Sequence, residues 1–155
     1  MKKVFLIAII CTLVDQVIKL IITNSLDFGD SIQIIPSLFS LTLLQNTGAA
    51  FSIFSSGTIV LILVSLVALN LIYWFLIKDK DLNKLETIVY GVLIGGILGN
   101  LIDRVFYGYV IDYLDFNILG FNFPVFNFAD ICIVVTIILI IIFTLKGEKD
   151  ARKSK

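Results

Sequence analysis

Apolar residues gather in four long runs along the chain, at residues 4–22, 59–77, 85–102 and 129–145. Each is close to the about 20 mainly apolar residues that a helix needs to cross a hydrocarbon core. The pattern therefore predicts four transmembrane helices. The segments between them read differently. Residues 23–58 contain Ile32-Gln33-Ile34 and Leu41-Thr42-Leu43, and residues 103–128 contain Phe121-Asn122-Phe123-Pro124-Val125. Alternation of apolar and polar positions with period two predicts short strands. The expected fold class is an all-α membrane protein of four helices with a small β element lying on the outer leaflet, organised as one domain over residues 1–155.

Composition supports that class. The chain is 59% hydrophobic over 155 residues, against roughly 45–50% for a soluble domain, and four spans leave little chain for a separate soluble unit. Charge then orients the spans. Ten of the twelve basic residues lie at the two termini or in the short link holding Lys78, Lys80 and Lys84. Cytoplasmic loops carry the excess of Lys and Arg, so both termini are expected in the cytoplasm and the two longer connections outside. The basic C-terminal tail is read as an anchor to anionic lipid, with no nucleic-acid partner. Met1-Lys2-Lys3 before an apolar run imitates a secretory signal. Asp15 and Lys19 interrupt that run and no small-residue cleavage site follows, so it is read as an uncleaved first span. Cys11 and Cys132 fall inside expected helices and are read as small packing residues. The chain has no His, which excludes His-based catalysis, and no metal-ligand spacing is visible; no cofactor is expected.

The two exceptions to the charge pattern, Lys19 and Arg104, belong to a polar group that the topology gathers at one depth. Asp15 and Lys19 sit in the outer half of span one, acid four residues before base, the favourable order for a helical pair. Asn100, Asp103 and Arg104 end span three, Asp130 opens span four, and Asn46 and Asp112 lie in the two outer loops. Asp103, Asp112, Asp115 and Asp130 fall within 28 residues. Acids at a bilayer boundary are costly unless paired or functional. Two carboxylates brought together can share one proton, the requirement for acid–base hydrolysis without a metal. Each residue also has a plainer reading: Asp130 as a helix cap, Asp103 with Arg104 as an ion pair, Asp15 with Lys19 as a bundle-holding pair whose lysine snorkels outward, Asp115 as a solvated loop residue, Asn127 as a turn former. Gly91, Gly95 and Gly99 at four-residue spacing predict close helix packing, and a second stripe runs through Gly96, Asn100, Asp103 and Arg104. From the residues alone, a membrane hydrolase, a proton or ion carrier and a helical partner subunit all remain open.

The motifs, in order, are Asp15-Gln16-Val17-Ile18-Lys19, Asn46-Thr47-Gly48-Ala49-Ala50-Phe51, Gly99-Asn100-Leu101-Ile102-Asp103-Arg104, Val110-Ile111-Asp112-Tyr113 and Phe126-Asn127-Phe128-Ala129-Asp130. Together, on four spans, they closely resemble the lipoprotein signal peptidase family, also called signal peptidase II, across nearly the whole chain. The resemblance implies an intramembrane aspartyl endopeptidase of the bacterial cytoplasmic membrane, monomeric and facing outward. Such enzymes cut prolipoprotein signal peptides before a cysteine carrying diacylglycerol. By motif, Asp112 and Asp130 would be the catalytic pair. Asn46, Gly48, Asn100, Asp103, Arg104, Asn127 and Ala129 would bind substrate or support the site, with Asp15 and Lys19 as a structural polar pair. Ile97, where many relatives have Ala, is a departure that bears on helix packing alone. The long outer loops, with Phe51, are expected to lie over the substrate peptide.

Overall fold

The computed structural model describes residues 1–48 and 57–153. The loop around Phe51 lies outside the described residues. Among the described residues, four helices are long and apolar enough to cross a membrane. Helix α1 spans Lys2–Ser25, and α2 spans Thr58–Leu71 and continues through a π-helical turn at Ile72–Ile77. Helix α3 spans Lys84–Tyr107 and α4 spans Phe128–Lys153. Each helix covers one of the expected apolar runs, with α1, α3 and α4 running several residues further. Helix α3 begins with a capping box, in which the Asn83 side chain accepts the Glu86 amide at 3.0 Å and Glu86 accepts the Asn83 amide at 2.9 Å. This satisfies donors that a helix start leaves unpaired.

Helix α3 is the central element. Half of its most apolar stretch is buried, whereas none of α2's is. The glycine stripe explains how. A Cβ on Gly95 would come within 2.5 Å of Cys11 Cβ and 2.8 Å of the Ala8 carbonyl, so only a glycine lets α1 approach this closely. The neighbouring stripe serves α4: a Cβ on Gly96 would meet the Ala129 carbonyl at 2.7 Å. The two faces expected from sequence therefore pack against two different helices, with Cys11 and Cys132 meeting beside them at 3.5 Å between sulfurs. The outward faces stay apolar, as at Leu6, Ile9, Leu13, Leu63, Val67, Val134 and Ile138. A surface that is apolar outward as well as inward belongs in lipid.

A four-stranded antiparallel sheet stands at one end of the bundle, in the order β1 (Ser31–Ile35), β2 (Phe39–Asn46), β3 (Val110–Ile118), β4 (Phe121–Asn122). Strands β1 and β2 are where the alternation predicts them. Strand β3 is a correction: Asp112 lies on a strand, not in an open loop. Its first four residues, Val110 to Tyr113, are all buried, so both faces are covered and the period-two signal is lost. Strand β2 reaches β3 only after α2 and α3, and pairs Asn46 with Val110 and Leu44 with Asp112. A two-residue turn at Leu119–Gly120, both with positive φ (54° and 83°), joins β3 to β4. Leu119 at this tip is fully exposed. The chain then returns along β3, where Phe126 and Leu114 exchange backbone hydrogen bonds at 2.8 and 3.1 Å. That return sets Asn127 and the start of α4 against Asp112.

Candidate active site

Four elements meet below the sheet. Asp112 comes from β3 and is 2% exposed. Its Oδ2 accepts from Asn46 Nδ2 at 2.8 Å, on the last residue of β2, and its Oδ1 accepts from Asn127 Nδ2 at 2.7 Å. Asp130 comes from the first turn of α4. Its Oδ1 accepts from Asn100 Nδ2 on α3 at 2.7 Å, and its Oδ2 accepts from the Asn127 amide at 3.1 Å. Each carboxylate thus carries one hydrogen bond per oxygen, three of the four from asparagine side chains. Asn127 is the hinge of the arrangement. Its Oδ1 accepts the Asp130 amide at 3.0 Å, so fully buried Asn127 and cleft-lining Asp130 cap α4 reciprocally. The plain reading of Asp130 as a cap is correct in part, with Asn127 at the N-cap and Asp130 three residues on.

Asp112 and Asp130 line one cleft of about 710 Å³, with Asn46, Thr47, Gly48, Asn100 and Arg104 among its polar residues. Its other wall is apolar, from Phe123 and Pro124 to Ile131 and Val135. Burial, and next the charge of Asp130, pushes the Asp112 carboxyl up from 3.8 to about 7. A carboxyl in such a place holds its proton near neutral pH. Arg104 reaches into the same cleft. Its Nη2 donates to the Gly48 carbonyl at 3.1 Å and its Nη1 to the Asn100 carbonyl at 3.4 Å. Gly48 is held in turn, its amide donating to Asn46 Oδ1 at 2.9 Å.

Asp103 does not pair with Arg104, as the sequence order suggests. One residue apart on a helix is about 100° around it, and Asp103 turns instead toward α1. Its Oδ2 meets Lys19 Nζ at 2.7 Å and its Oδ1 accepts from Gln16 Nε2 at 2.9 Å. Lys19 also meets Asp15 at 2.8 Å, the expected pair. It does not snorkel outward, however: Lys19 is 1% exposed, because two carboxylates and Asn100 Oδ1 (3.1 Å) take up its three donors. Ala129 is fully buried, and its amide donates to Asp15 Oδ1 at 3.0 Å. Asp115 is half-buried on β3, accepting from Thr42 Oγ1 at 2.8 Å, away from the cleft.

Two contributors escaped the sequence reading. Gln16 stands inside the first motif and bridges Asp103, Asp15 and the Gly99 carbonyl. Tyr113 follows Asp112, and its hydroxyl accepts the Phe128 amide at 3.2 Å, pinning the start of α4. Burial raises the Tyr113 phenol, keeping it neutral. A buried tyrosine needs a partner for its hydroxyl, which is the signal that could have drawn it out.

Four apolar helices that carry a polar cleft at one end, lined by buried Asp112 and half-buried Asp130, define a membrane protein with a candidate active site. The comparisons specify which. Residues 7–146 match the family model described as signal peptidase (SPase) II, and the chain belongs to that family. It is 37% identical over 150 residues to the lipoprotein signal peptidase of Staphylococcus aureus strain MRSA252, covering 97% of this chain and 92% of that one. It also resembles two solved bacterial membrane enzyme structures. One has a TM-score of 0.88 at 37% identity, covering 97% of this chain and 92% of that one. The other has a TM-score of 0.83 at 38% identity, covering 94% of each.

Proposed function

We propose that this protein is a lipoprotein signal peptidase that cleaves prolipoproteins before a diacylglyceryl-modified cysteine, with Asp112 and Asp130 as its acid–base pair. The observation that carries the reading is the placement of buried Asp112 and half-buried Asp130 on one cleft whose remaining wall is apolar. Two adjacent carboxylates cannot easily both ionise, so the pair holds one proton. The ionised member takes a proton from water as the water oxygen bonds to the scissile carbonyl carbon. The protonated member hydrogen-bonds the carbonyl oxygen and takes up its developing charge. Collapse of the tetrahedral intermediate breaks the C–N bond, and the departing amine leaves with the proton that the pair collected. The titration belongs to the pair rather than to either residue.

The surrounding groups fit these steps. Asn100, Asn46 and Asn127 orient the carboxylates, and Arg104 holds the Gly48 carbonyl, just past β2, where a substrate backbone would lie. The apolar wall suits the acyl chains and the hydrophobic signal peptide. The chain acts as a single domain and as a monomer, with both termini in the cytoplasm and the sheet on the outer leaflet of the bacterial cytoplasmic membrane. The clustering of basic residues at the termini and in the short link supports that orientation. The deciding experiment incubates the purified protein with a prolipoprotein, with and without the diacylglyceryl group. Wild type should cleave only the modified form, and Asp112→Asn and Asp130→Asn should both be inactive though folded. Near wild-type cleavage by either variant overturns the assignment.

A further inference from the structure

Lys19 lies outside the cleft, yet every bond it makes leads to the pair. Its ammonium meets Asp15 at 2.8 Å and Asp103 at 2.7 Å. Each of these carboxylates has a second task. Asp15 Oδ1 accepts the amide of Ala129, the residue before Asp130, at 3.0 Å. Asp103 Oδ2 accepts the amide of Ile111, the residue before Asp112, at 3.1 Å. The third donor of Lys19 goes to Asn100 Oδ1 at 3.1 Å. An ammonium can only donate, so that bond fixes the direction of the amide: oxygen toward Lys19, Nδ2 toward Asp130. Asn127 donates to the same oxygen at 3.0 Å.

We propose that Lys19 is a positioning residue for the reaction: it draws together the two carboxylates that grip the peptides before Asp112 and Asp130, and it fixes Asn100 to donate to Asp130. This rests on the Asp112/Asp130 reading. It gives Lys19 a part that a bundle-holding ion pair lacks. A pair needed only for folding has no reason to address the peptide before each member, and the amide between them, at once. Losing one charge-assisted hydrogen bond of this kind is expected to lower kcat about ten- to hundred-fold, with KM nearly unchanged.

The test is a double-mutant cycle in the full-length protein, using Lys19→Met, Asn100→Ala and both together, with kcat measured per folded molecule on a diacylglyceryl-modified prolipoprotein. If Lys19 acts through Asn100 and the gripped peptides, the double variant is much less than multiplicatively impaired. Multiplicative losses, or a Lys19→Met loss that vanishes on normalising to folded protein, overturn the proposal. Should Lys19→Met fail to fold, Lys19→Met/Asp15→Asn keeps the charge of the buried cluster and replaces it in the cycle under the same criteria. Asp112→Asn and Asp130→Asn are assayed beside it. Activity in those two, with coupling intact, ends the dyad reading and leaves the Lys19–Asn100 coupling standing. Their inactivity with multiplicative Lys19 and Asn100 losses does the reverse.

Discussion

Asn127 donates its side-chain amide to Asp112 at 2.7 Å, and so ties the strand-borne carboxylate to the very residue that caps the helix carrying the other one. One side chain therefore serves both the proposed acid–base pair and the start of α4. Asn127→Ala removes a donor from buried Asp112 and the N-cap from α4. We expect kcat to fall by at least about tenfold, and unfolding in detergent to show a loss of about 0.5–2 kcal/mol, the usual cost of a lost cap. Asn127→Ser should recover most of the stability but not the activity, because a serine hydroxyl caps a helix yet is too short to reach Asp112. Equal recovery of both would separate Asn127 from the chemistry.

On the proposed reading, the upper titration of the pair, to which the raised Asp112 carboxyl contributes, sets the upper limb of the pH profile. The Asp112 proton is retained up to about pH 7 and lost above it. With both members ionised, no acid remains for the carbonyl, so kcat/KM should decline as pH rises past about 7. The sign for stability follows. An unfolded aspartate ionises from about pH 4, whereas the folded one holds its proton, so stability falls between about pH 4 and 7 and levels off beyond. Asp112→Asn should flatten this part of the stability curve. A rate that is constant to pH 9 would rule out Asp112 as the titrating acid.

Gly95 separates packing from chemistry. Gly95→Ala puts a Cβ against Cys11 Cβ and the Ala8 carbonyl, forcing α1 away from α3. Overpacking of this kind costs about 1–3 kcal/mol. Because α1 carries Asp15 and Lys19, activity should fall with stability. Gly120→Ala, at the exposed hairpin turn with open space around it but a φ of +83°, should cost less stability and leave turnover unchanged. Thermal unfolding and turnover of both variants check this.

Asp115 is the control carboxylate. It accepts from Thr42 on the sheet and does not line the cleft. Asp115→Asn keeps an acceptor for that hydroxyl, so activity within about twofold of wild type is expected, as for substitutions away from a buried network. A large loss would show that the sheet's far side takes part in turnover.

The four spans were legible because lipid demands long apolar runs, and β1 and β2 because their apolar and polar residues alternate in sequence. Strand β3 was hidden by burial of Ile111 and Asp112 alike, on opposite faces. The gathering of Asp15, Lys19, Asn100, Asp103, Arg104, Asp112 and Asp130 at one end followed from depth along the spans. The partners did not, since they depend on rotation about each helix axis. Neighbours in sequence part company, Asp103 turning toward α1 and Arg104 toward the Gly48 carbonyl in the cleft, and Lys19 turns inward because two acids await it.

The Leu119–Gly120 turn lies between the strand that carries Asp112 and the helix that carries Asp130, yet Leu119 is fully exposed and the Gly120 amide bonds back to Asn117 Oδ1, within the hairpin, at 3.0 Å. The geometry of the pair is closed lower down, where Phe126 binds Leu114 and Asn117 binds Asn122 at 2.6 Å. The residues that bond to the two carboxylates, Asn46, Asn100 and Asn127, all lie outside the hairpin tip. Here the chain can be lengthened, labelled or attached to a surface while its two active-site halves stay in register.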